Sequence, residues 1–315
     1  MEVIGKVVTT TRRSATLMLD SPELNEKKFI KTSMSNQIEN LCVGDLVSLG
    51  NTDSFNDENS QGGSGILIRN VLTRKNCLFR SQGTKRKNIC SNIDLALIIT
   101  APGQLENTIF IDRVLAAATL ENIPVRLIIN KCDLASTEEL QRTYQNVDIS
   151  VQVTSVKSGV GMQEFGSLLL SSELETVVLC GVSGVGKSSI LNYLLPDVTR
   201  KTQKVSHKTG QGQQTTTQAY GYLMSREGLT PLLLVDTPGV QNFGLSHLTP
   251  EECRQGFSDF FKLSFQCEFR DCQHIEEQNC EVLLAVNDGR IPASRYLTYL
   301  NITEELIRVE KYKYN

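Results

Sequence analysis

From Glu2 to about Leu78 apolar and polar positions alternate in short stretches: VIGKVVTT, SATLML, KKFIKTS, DLVSL and GILIRNVL. Turn-rich pieces such as SPELNE and the polar loop NTDSFNDENSQGGSG separate them. A period of two puts one side of each stretch in a core and the other in water, the pattern of half-buried strands. Five such strands in under eighty residues, without a helical run, predict a small closed barrel. An OB-type barrel is one solution, and other small barrels fit the strand count equally well.

After a basic stretch the pattern changes. IDLALIIT, PVRLIIN, DISVQVT, TVVLCG and LLLVDTPG are apolar runs ending in polar or glycine residues. Helical stretches lie between them around IDRVLAAATLEN, TEELQRTYQ, MQEFGSLLL and KSSILNYLL. This alternation predicts a parallel sheet covered by helices on both faces, with ligand chemistry where strands end and helices begin. From Thr249 onward the chain reads as helix: TPEECRQGFSDFFKL, a cysteine-rich knot, then a polar helix. The expected division is a barrel over 1–78, an α/β domain with a basic N-terminal linker over 79–248, and a helical domain over 249–315.

Composition narrows the class. At 315 residues, 40% apolar and 21% charged, the chain suits two or three packed domains, and disorder is excluded as its main state. No stretch approaches the roughly 18 to 20 uncharged apolar residues of a membrane span, and MEVIGKVVTTTRRSATLML lacks the layout of a cleavable signal. A cytoplasmic protein without membrane contact is therefore expected. Nine cysteines are an odd number, and Cys42, Cys77, Cys90, Cys132, Cys180 and Cys253 are scattered, which favours reduced thiols. The net charge of −3 hides an asymmetry: residues 1–90 hold 13 Lys and Arg against 9 Asp and Glu, and the remainder is acidic. Arg69, Arg74, Lys75, Arg80, Lys85, Arg86 and Lys87 follow one another with no acid between them. A nucleic-acid backbone suits such a run, although charge alone fits a solvated linker equally well.

Gly181, Val182, Ser183, Gly184, Val185, Gly186, Lys187, Ser188 and Ser189 match G-x-x-x-x-G-K-[ST] between an apolar strand and a helix. In such a loop the glycines let backbone N–H groups curl around phosphates, Lys187 neutralises β and γ oxygens, and Ser188 offers its hydroxyl to Mg²⁺. DTPG closes the strand LLLV; Asp236 suits the Mg²⁺ shell, and Gly239 lets its amide approach a γ-phosphate. NKCD (Asn130, Lys131, Cys132, Asp133) closes PVRLII. The Asp133 carboxylate can accept two hydrogens from guanine, a pairing that adenine does not offer. TSVKSG, with Ser155, follows the next strand and would back the base with main-chain N–H. In ordinary GTPases the phosphate loop comes first and NKxD follows DxxG; here NKCD and TSVK precede the phosphate loop and DTPG comes last, so the chain reads as a circular permutation. An ATP-dependent kinase or transferase is disfavoured by NKCD.

Cys267, Cys272, His274 and Cys280 form C-x4-C-x-H-x5-C. Three thiolates and one imidazole make a closed structural zinc set, one ion per chain, with no open position for chemistry. His207 and His247 have no such company and read as ordinary surface or loop residues.

With a barrel before, a permuted GTPase order and a Cys3His knot after, the chain resembles the RsgA (YjeQ) family of small ribosomal subunit assembly GTPases over essentially its whole length. The strings VGDLV, RNVLTRKNCLFR, NIDLALII, NKCD, GVSGVGKSS, TGQGQQTTT, DTPGV and the zinc spacing carry the resemblance. It implies a multidomain fold: an OB-type barrel contacting rRNA, a circularly permuted α/β P-loop GTPase domain, and a mainly helical zinc-binding domain. It also implies GTP and GDP as ligands with Mg²⁺, binding of a monomer to the immature small ribosomal subunit, hydrolysis stimulated by that subunit, and release. The family's switch segment reads G-x-H-T-T-T, with histidine as the proposed catalytic residue; here Gln214 stands there, and Val240 follows DTPG. Glutamine orients water by hydrogen bonds but is neither acid nor base near neutrality. The expected catalytic set is Gln214, Lys187 and Thr216; Ser188, Thr216 and Asp236 hold Mg²⁺, with Thr215 and Thr217 open alternatives to Thr216. The rival from another class is an rRNA-binding module that binds GTP with little turnover.

Overall fold

The computed structural model describes residues 3–11, 14–20, 27–34, 38, 40–51, 66–83, 85–103, 106–171, 173–195, 219–237 and 243–313. The N-terminal runs form β1 (Val3–Thr10), β2 (Ser14–Asp20), β3 (Lys27–Ser33), β4 (Leu46–Asn51) and β5 (Ile66–Val71). β1 pairs antiparallel with β2 and β4, β2 with β3, and β4 with β5. The strands curl until β3 lies beside β5, where the Thr32 hydroxyl donates to the Ile66 carbonyl at 2.6 Å. Val7, Ala15, Leu17, Leu19, Ile30, Val47, Leu49 and Ile68 fill the interior, as the period of two requires.

The expected basic linker is a strand pair. β6 (Cys77–Gln82) and β7 (Lys85–Ser91) form an antiparallel hairpin whose register places Arg80 opposite Lys87. The hairpin is held because its inner residues Leu78, Ile89 and Cys90 join the main core. Residue 78, the expected domain boundary, falls inside β6.

The α/β part follows in the expected order with one strand added, β12: β8 (Leu95–Thr100), α1 (Thr108–Leu120), β9 (Val125–Ile129), α2 (Glu138–Tyr144), β10 (Ser150–Val153), α3 (Met162–Ser171), β11 (Thr176–Cys180), α4 (Lys187–Leu194), β12 (Tyr220–Met224) and β13 (Leu232–Asp236). The sheet order is β10-β9-β8-β11-β13-β12, and the path continues through β1 and β2 to β3. β8 to β11 and β13 run parallel, whereas β12 is antiparallel to β13 and meets barrel strand β1 at Thr9. Alternate strand residues pack on opposite sides. Ile98, Val178, Leu233 and Val235 meet α1, while Leu97, Val177, Leu179 and Leu234 meet α3 and α4.

The C-terminal part comprises α5 (Pro250–Gly256), α6 (Ser258–Ser264), α7 (Glu281–Asn287) and α8 (Ala293–Lys313). The single helix expected over 249–263 is two, because Phe257 leaves helical geometry (φ −87°, ψ 82°) and buries its ring. Thr249 and Glu252 form a capping box that starts α5. This part packs on the α1 side, within the same core as the inner hairpin residues. Among the described residues, no helix is long and apolar enough to cross a membrane.

Candidate functional site

The carboxyl ends of β8, β9, β10, β11 and β13 form one edge, where the sequence motifs gather. β11 ends at Cys180 and the loop 181–186 turns into α4. Gly186 caps α4 at φ 102°, a left-handed conformation natural to glycine, and a Cβ there would strike the Asn130 amide. Asn130 Nδ2 donates to the Val185 carbonyl at 2.9 Å, and Lys131 Nζ to the Gly184 carbonyl at 2.6 Å. NKCD therefore braces the phosphate loop directly, which explains why an asparagine and a lysine stand at this strand end.

Lys187 Nζ folds over its loop and donates to the carbonyls of Gly181 (2.6 Å) and Val182 (3.1 Å). Burial lowers the pKa of this ammonium, and the neighbouring Asp236 charge opposes the shift. Burial raises the pKa of Asp236, with Lys187 opposing in turn. Asp236 Oδ1 is buried without a hydrogen-bond partner among the described residues. A buried carboxylate oxygen awaiting a partner beside a phosphate loop fits a nucleotide-bound Mg²⁺. Thr237 fixes this strand end by donating its hydroxyl to the Leu179 carbonyl at 2.7 Å. Gly239, Gln214 and Thr216 lie outside the described residues, as do Val240 and His207.

At the base end, Ser155 Oγ donates to Asp133 Oδ1 at 2.5 Å, and Lys157 Nζ lies 3.9 Å from Asp133 Oδ2. The Ser155 hydroxyl holds Asp133 below the usual carboxylate range, so it stays an acceptor, the state needed for guanine. The Ser155 amide is engaged by the Val160 carbonyl at 2.9 Å, and its hydroxyl orients the aspartate.

A second cluster lies in the C-terminal part. The ligand atoms of Cys267, Cys272, His274 and Cys280 all fall within 4.8 Å of one another. His274 Nδ1 is 3.4 Å from Cys280 Sγ and 3.8 Å from Cys267 Sγ, and these two sulfurs are 4.0 Å apart. Zn–S bonds of about 2.3 Å give tetrahedral edges of about 3.8 Å, so the donor set fits zinc. Burial pushes the His274 imidazole down to about 4, keeping it in its neutral, ligating form. Tyr296 and Tyr299 of α8 donate to the carbonyls of His274 (2.8 Å) and Gln273 (2.7 Å), pinning the knuckle to that helix.

These two sites and their permuted order match one known family. A family model of RsgA GTPases covers residues 71–246. The chain is 34% identical over 291 residues to the small ribosomal subunit biogenesis GTPase RsgA of Histophilus somni, covering 90% of this chain and 80% of that protein. The chain belongs to the RsgA GTPase family. It is thus a GTP hydrolase, and the RsgA protein of Actinobacillus pleuropneumoniae is 33% identical over 307 residues, 95% of this chain and 84% of that one. YjeQ from Thermotoga maritima has a similar structure, with a TM-score of 0.69 and 28% identity over 98% of this chain and 99% of that one. YloQ, a circularly permuted GTPase, shares the fold at a TM-score of 0.68 and 24% identity, over 98% and 96% of the two chains.

In this RsgA-family chain, sequence reasoning missed the group that joins the C-terminal part to the GTPase sheet. Arg295 of α8 is fully buried, donating to Asp112 of α1 (2.6 Å) and in bidentate fashion to Asp259 of α6 (2.6 and 2.7 Å). Tyr144 of α2 adds a 3.0 Å bond to Asp112. Such partners, up to 183 residues apart, leave no local sequence signal. His247, expected to be an ordinary loop residue, bonds through Nδ1 to Ser81 of the hairpin at 2.8 Å.

Proposed function

We propose that the chain binds the immature small ribosomal subunit and couples GTP hydrolysis to late maturation of that subunit and to its own release. The observation that carries the reading is the convergence of GVSGVGKSS, NKCD and Asp236 at one sheet edge in a chain whose curated relatives are named small ribosomal subunit biogenesis GTPases. The division is an OB-type barrel for rRNA ahead of β6; the permuted GTPase, entered through the basic hairpin, up to residue 248; and 249–315, the zinc part, with one Zn²⁺ per chain held by Cys267, Cys272, His274 and Cys280. The strand pairing β3-β2-β1-β4-β5 and the approach of β3 to β5 support the OB assignment. The protein acts as a cytoplasmic monomer.

Residues 181–189 cradle the phosphates, Asp133 reads guanine with Asn130, Lys131 and Ser155 in support, and Ser188, Thr216 and Asp236 hold Mg²⁺, while Gly239 meets the γ-phosphate. Gln214 orients the attacking water, and GTP orders TGQGQQTTT and DTPGV in the rRNA-bound state. Glutamine at the family's histidine position keeps one second reading: GTP binding without useful turnover. Single-turnover hydrolysis with and without purified small subunits separates the two, because only the first predicts acceleration by subunits.

A further inference from the structure

Downstream of DTPG the chain enters a seat built by the hairpin, α1 and α8. Residues 243–248 belong to neither helix nor strand, yet Phe243 and Leu245 are fully buried. Irregular backbone in a core needs hydrogen-bond partners from other elements. The Ser81 amide of β6 donates to the Gly244 carbonyl at 2.8 Å, and Arg113 of α1, paired with Glu305 of α8, donates to the Phe243 carbonyl at 3.4 Å. The Ser81 hydroxyl accepts from the His247 amide at 3.0 Å and meets His247 Nδ1 at 2.8 Å. The Phe243 ring packs edge-on against Phe110 of α1, centroids 6.4 Å apart. Hairpin and seat approach closely: a Cβ on Gly244 would stand 3.1 Å from the Ser81 Cβ, tighter than ordinary packing.

The chain is fixed on the other side of Gly239 as well. Thr237 donates its amide and its hydroxyl to the Leu179 carbonyl, at 3.3 and 2.7 Å. Gly239 stands two residues beyond Thr237 and four before Phe243. With consecutive Cα atoms 3.8 Å apart, so short a span carries a shift of either end into the glycine between them. Leu179 belongs to β11, the strand that feeds the phosphate loop, so the Thr237 end follows the nucleotide's own cradle. The Phe243 end is set from outside that edge, and Ser81 makes most of its polar contacts. Ser81 is itself held in place, because the hairpin that carries it is anchored in the core by Leu78, Ile89 and Cys90.

Resting on the reading of Gly239 as the group that meets the γ-phosphate, we propose that Ser81 is a positioning residue for GTP hydrolysis: its amide and hydroxyl fix the chain at Gly244 and His247 and so set where the Gly239 amide stands. The role is specific to the triphosphate. GDP has no γ-phosphate, and residues 181–189 with Asp133 hold it whether or not the seat is intact.

Ser81→Ala keeps the backbone bond to Gly244 and removes the two bonds of the hydroxyl. Single-turnover GTP hydrolysis by this variant alone, with the chain in excess, should slow by about 3-fold to 10-fold, while GDP affinity should stay within about 2-fold of the parent. Ser81→Thr keeps a hydroxyl on a strand and should return the rate to within about 2-fold. Gly244→Ala presses on the seat from the other side and should repeat the Ser81→Ala pattern. A parental rate in Ser81→Ala overturns the inference. So does a fall in GDP affinity as large as the fall in rate, since the hydroxyl then only supports the fold, and so does a Ser81→Thr rate as low as that of Ser81→Ala. Gly239→Ala separates this inference from the reading beneath it: a parental rate there removes Gly239 from the γ-phosphate, and the reading falls with the inference, whereas a slow Gly239→Ala beside a parental Ser81→Ala sinks the inference alone.

Discussion

Asp236 and Asp112 each sit beside a cation, the first pair half-buried and the second fully buried, and the chain uses them in different ways. At the nucleotide edge, Lys187 spends its hydrogens on the carbonyls of Gly181 and Val182, and among the described residues no ion pair closes on Asp236 and its Oδ1 has no hydrogen-bond partner. At the C-terminal seam, Arg295 closes on Asp112 and Asp259 at 2.6–2.7 Å and Asp112 Oδ1 takes a second donor from Tyr144; Asp112 Oδ2, like Asp236 Oδ1, has no partner among the described residues, so what separates the two sites is the closed ion pair. Burial raises both carboxyls, Asp112 to about 6. The first arrangement leaves charge for a ligand to complete, and the second uses charge to join α1, α6 and α8. A buried ion pair is therefore weak evidence of a site, whereas an unclosed one beside a phosphate loop is strong.

The comparison breaks most visibly if the C-terminal charges and thiols are not structural. Zinc analysis should find one ion per chain, and Cys272→Ala or chelation should unfold much of the part around α5 to α8. The apparent binding free energy of a structural zinc, roughly 10–16 kcal/mol in zinc-finger peptides, is then lost to folding. GTP binding should largely survive, because α4 packs on the other side of the sheet from this part. A melting curve unchanged by chelation would contradict it.

Next in size, Arg295→Met should cost about 3–5 kcal/mol in urea unfolding, since it strands Asp112 and Asp259 without their cation. The sign with pH follows from Asp112. Its raised pKa means the buried carboxyl prefers its proton, so the loss should be largest above about pH 6 and shrink as the pH falls through that value. A pH-independent loss below 1 kcal/mol would place the seam among ordinary surface pairs.

At the nucleotide edge, Asp133→Asn should weaken GTP binding by about 100-fold and favour xanthine nucleotides, whose 2-carbonyl accepts from the new amide. Titration with both nucleotides checks this. Gln214→Ala should reduce subunit-stimulated turnover by about 10-fold while sparing GTP affinity, and Gln214→His should add a pH dependence near neutrality. Smallest is the effect of neutralising Lys85, Arg86 and Lys87, which should flatten the salt dependence of subunit binding by up to about one unit of slope for each phosphate left without its cation. Arg86 should contribute least, since Glu121 at 3.2 Å and the Phe79 ring already engage it.

The sheet and its phosphate loop were legible because buried parallel strands leave continuous apolar runs, and a loop that wraps phosphates needs glycines at fixed offsets. The clustering of Cys267, Cys272, His274 and Cys280 was legible because the four lie within fourteen residues. The hairpin was not: KRKNICS reads as a charged linker until Ile89 and Cys90 are seen in the core. β12 was missed as well, for YGYLM is a short run after a long polar stretch, and its role comes from neighbours on β13 and β1. The bracing of the phosphate loop by Asn130 and Lys131, and the Ser155 hydroxyl on Asp133, are tertiary interactions that no spacing encodes.

The central claim is that the unclosed charges at the nucleotide edge serve a GTPase driven by the small ribosomal subunit. Single-turnover GTP hydrolysis, with the chain in excess and purified small subunits added or withheld, tests it most directly. The account predicts slow hydrolysis alone and strong acceleration with subunits, abolished when Lys187 is replaced by alanine. Equal rates with and without subunits that bind the chain would contradict it.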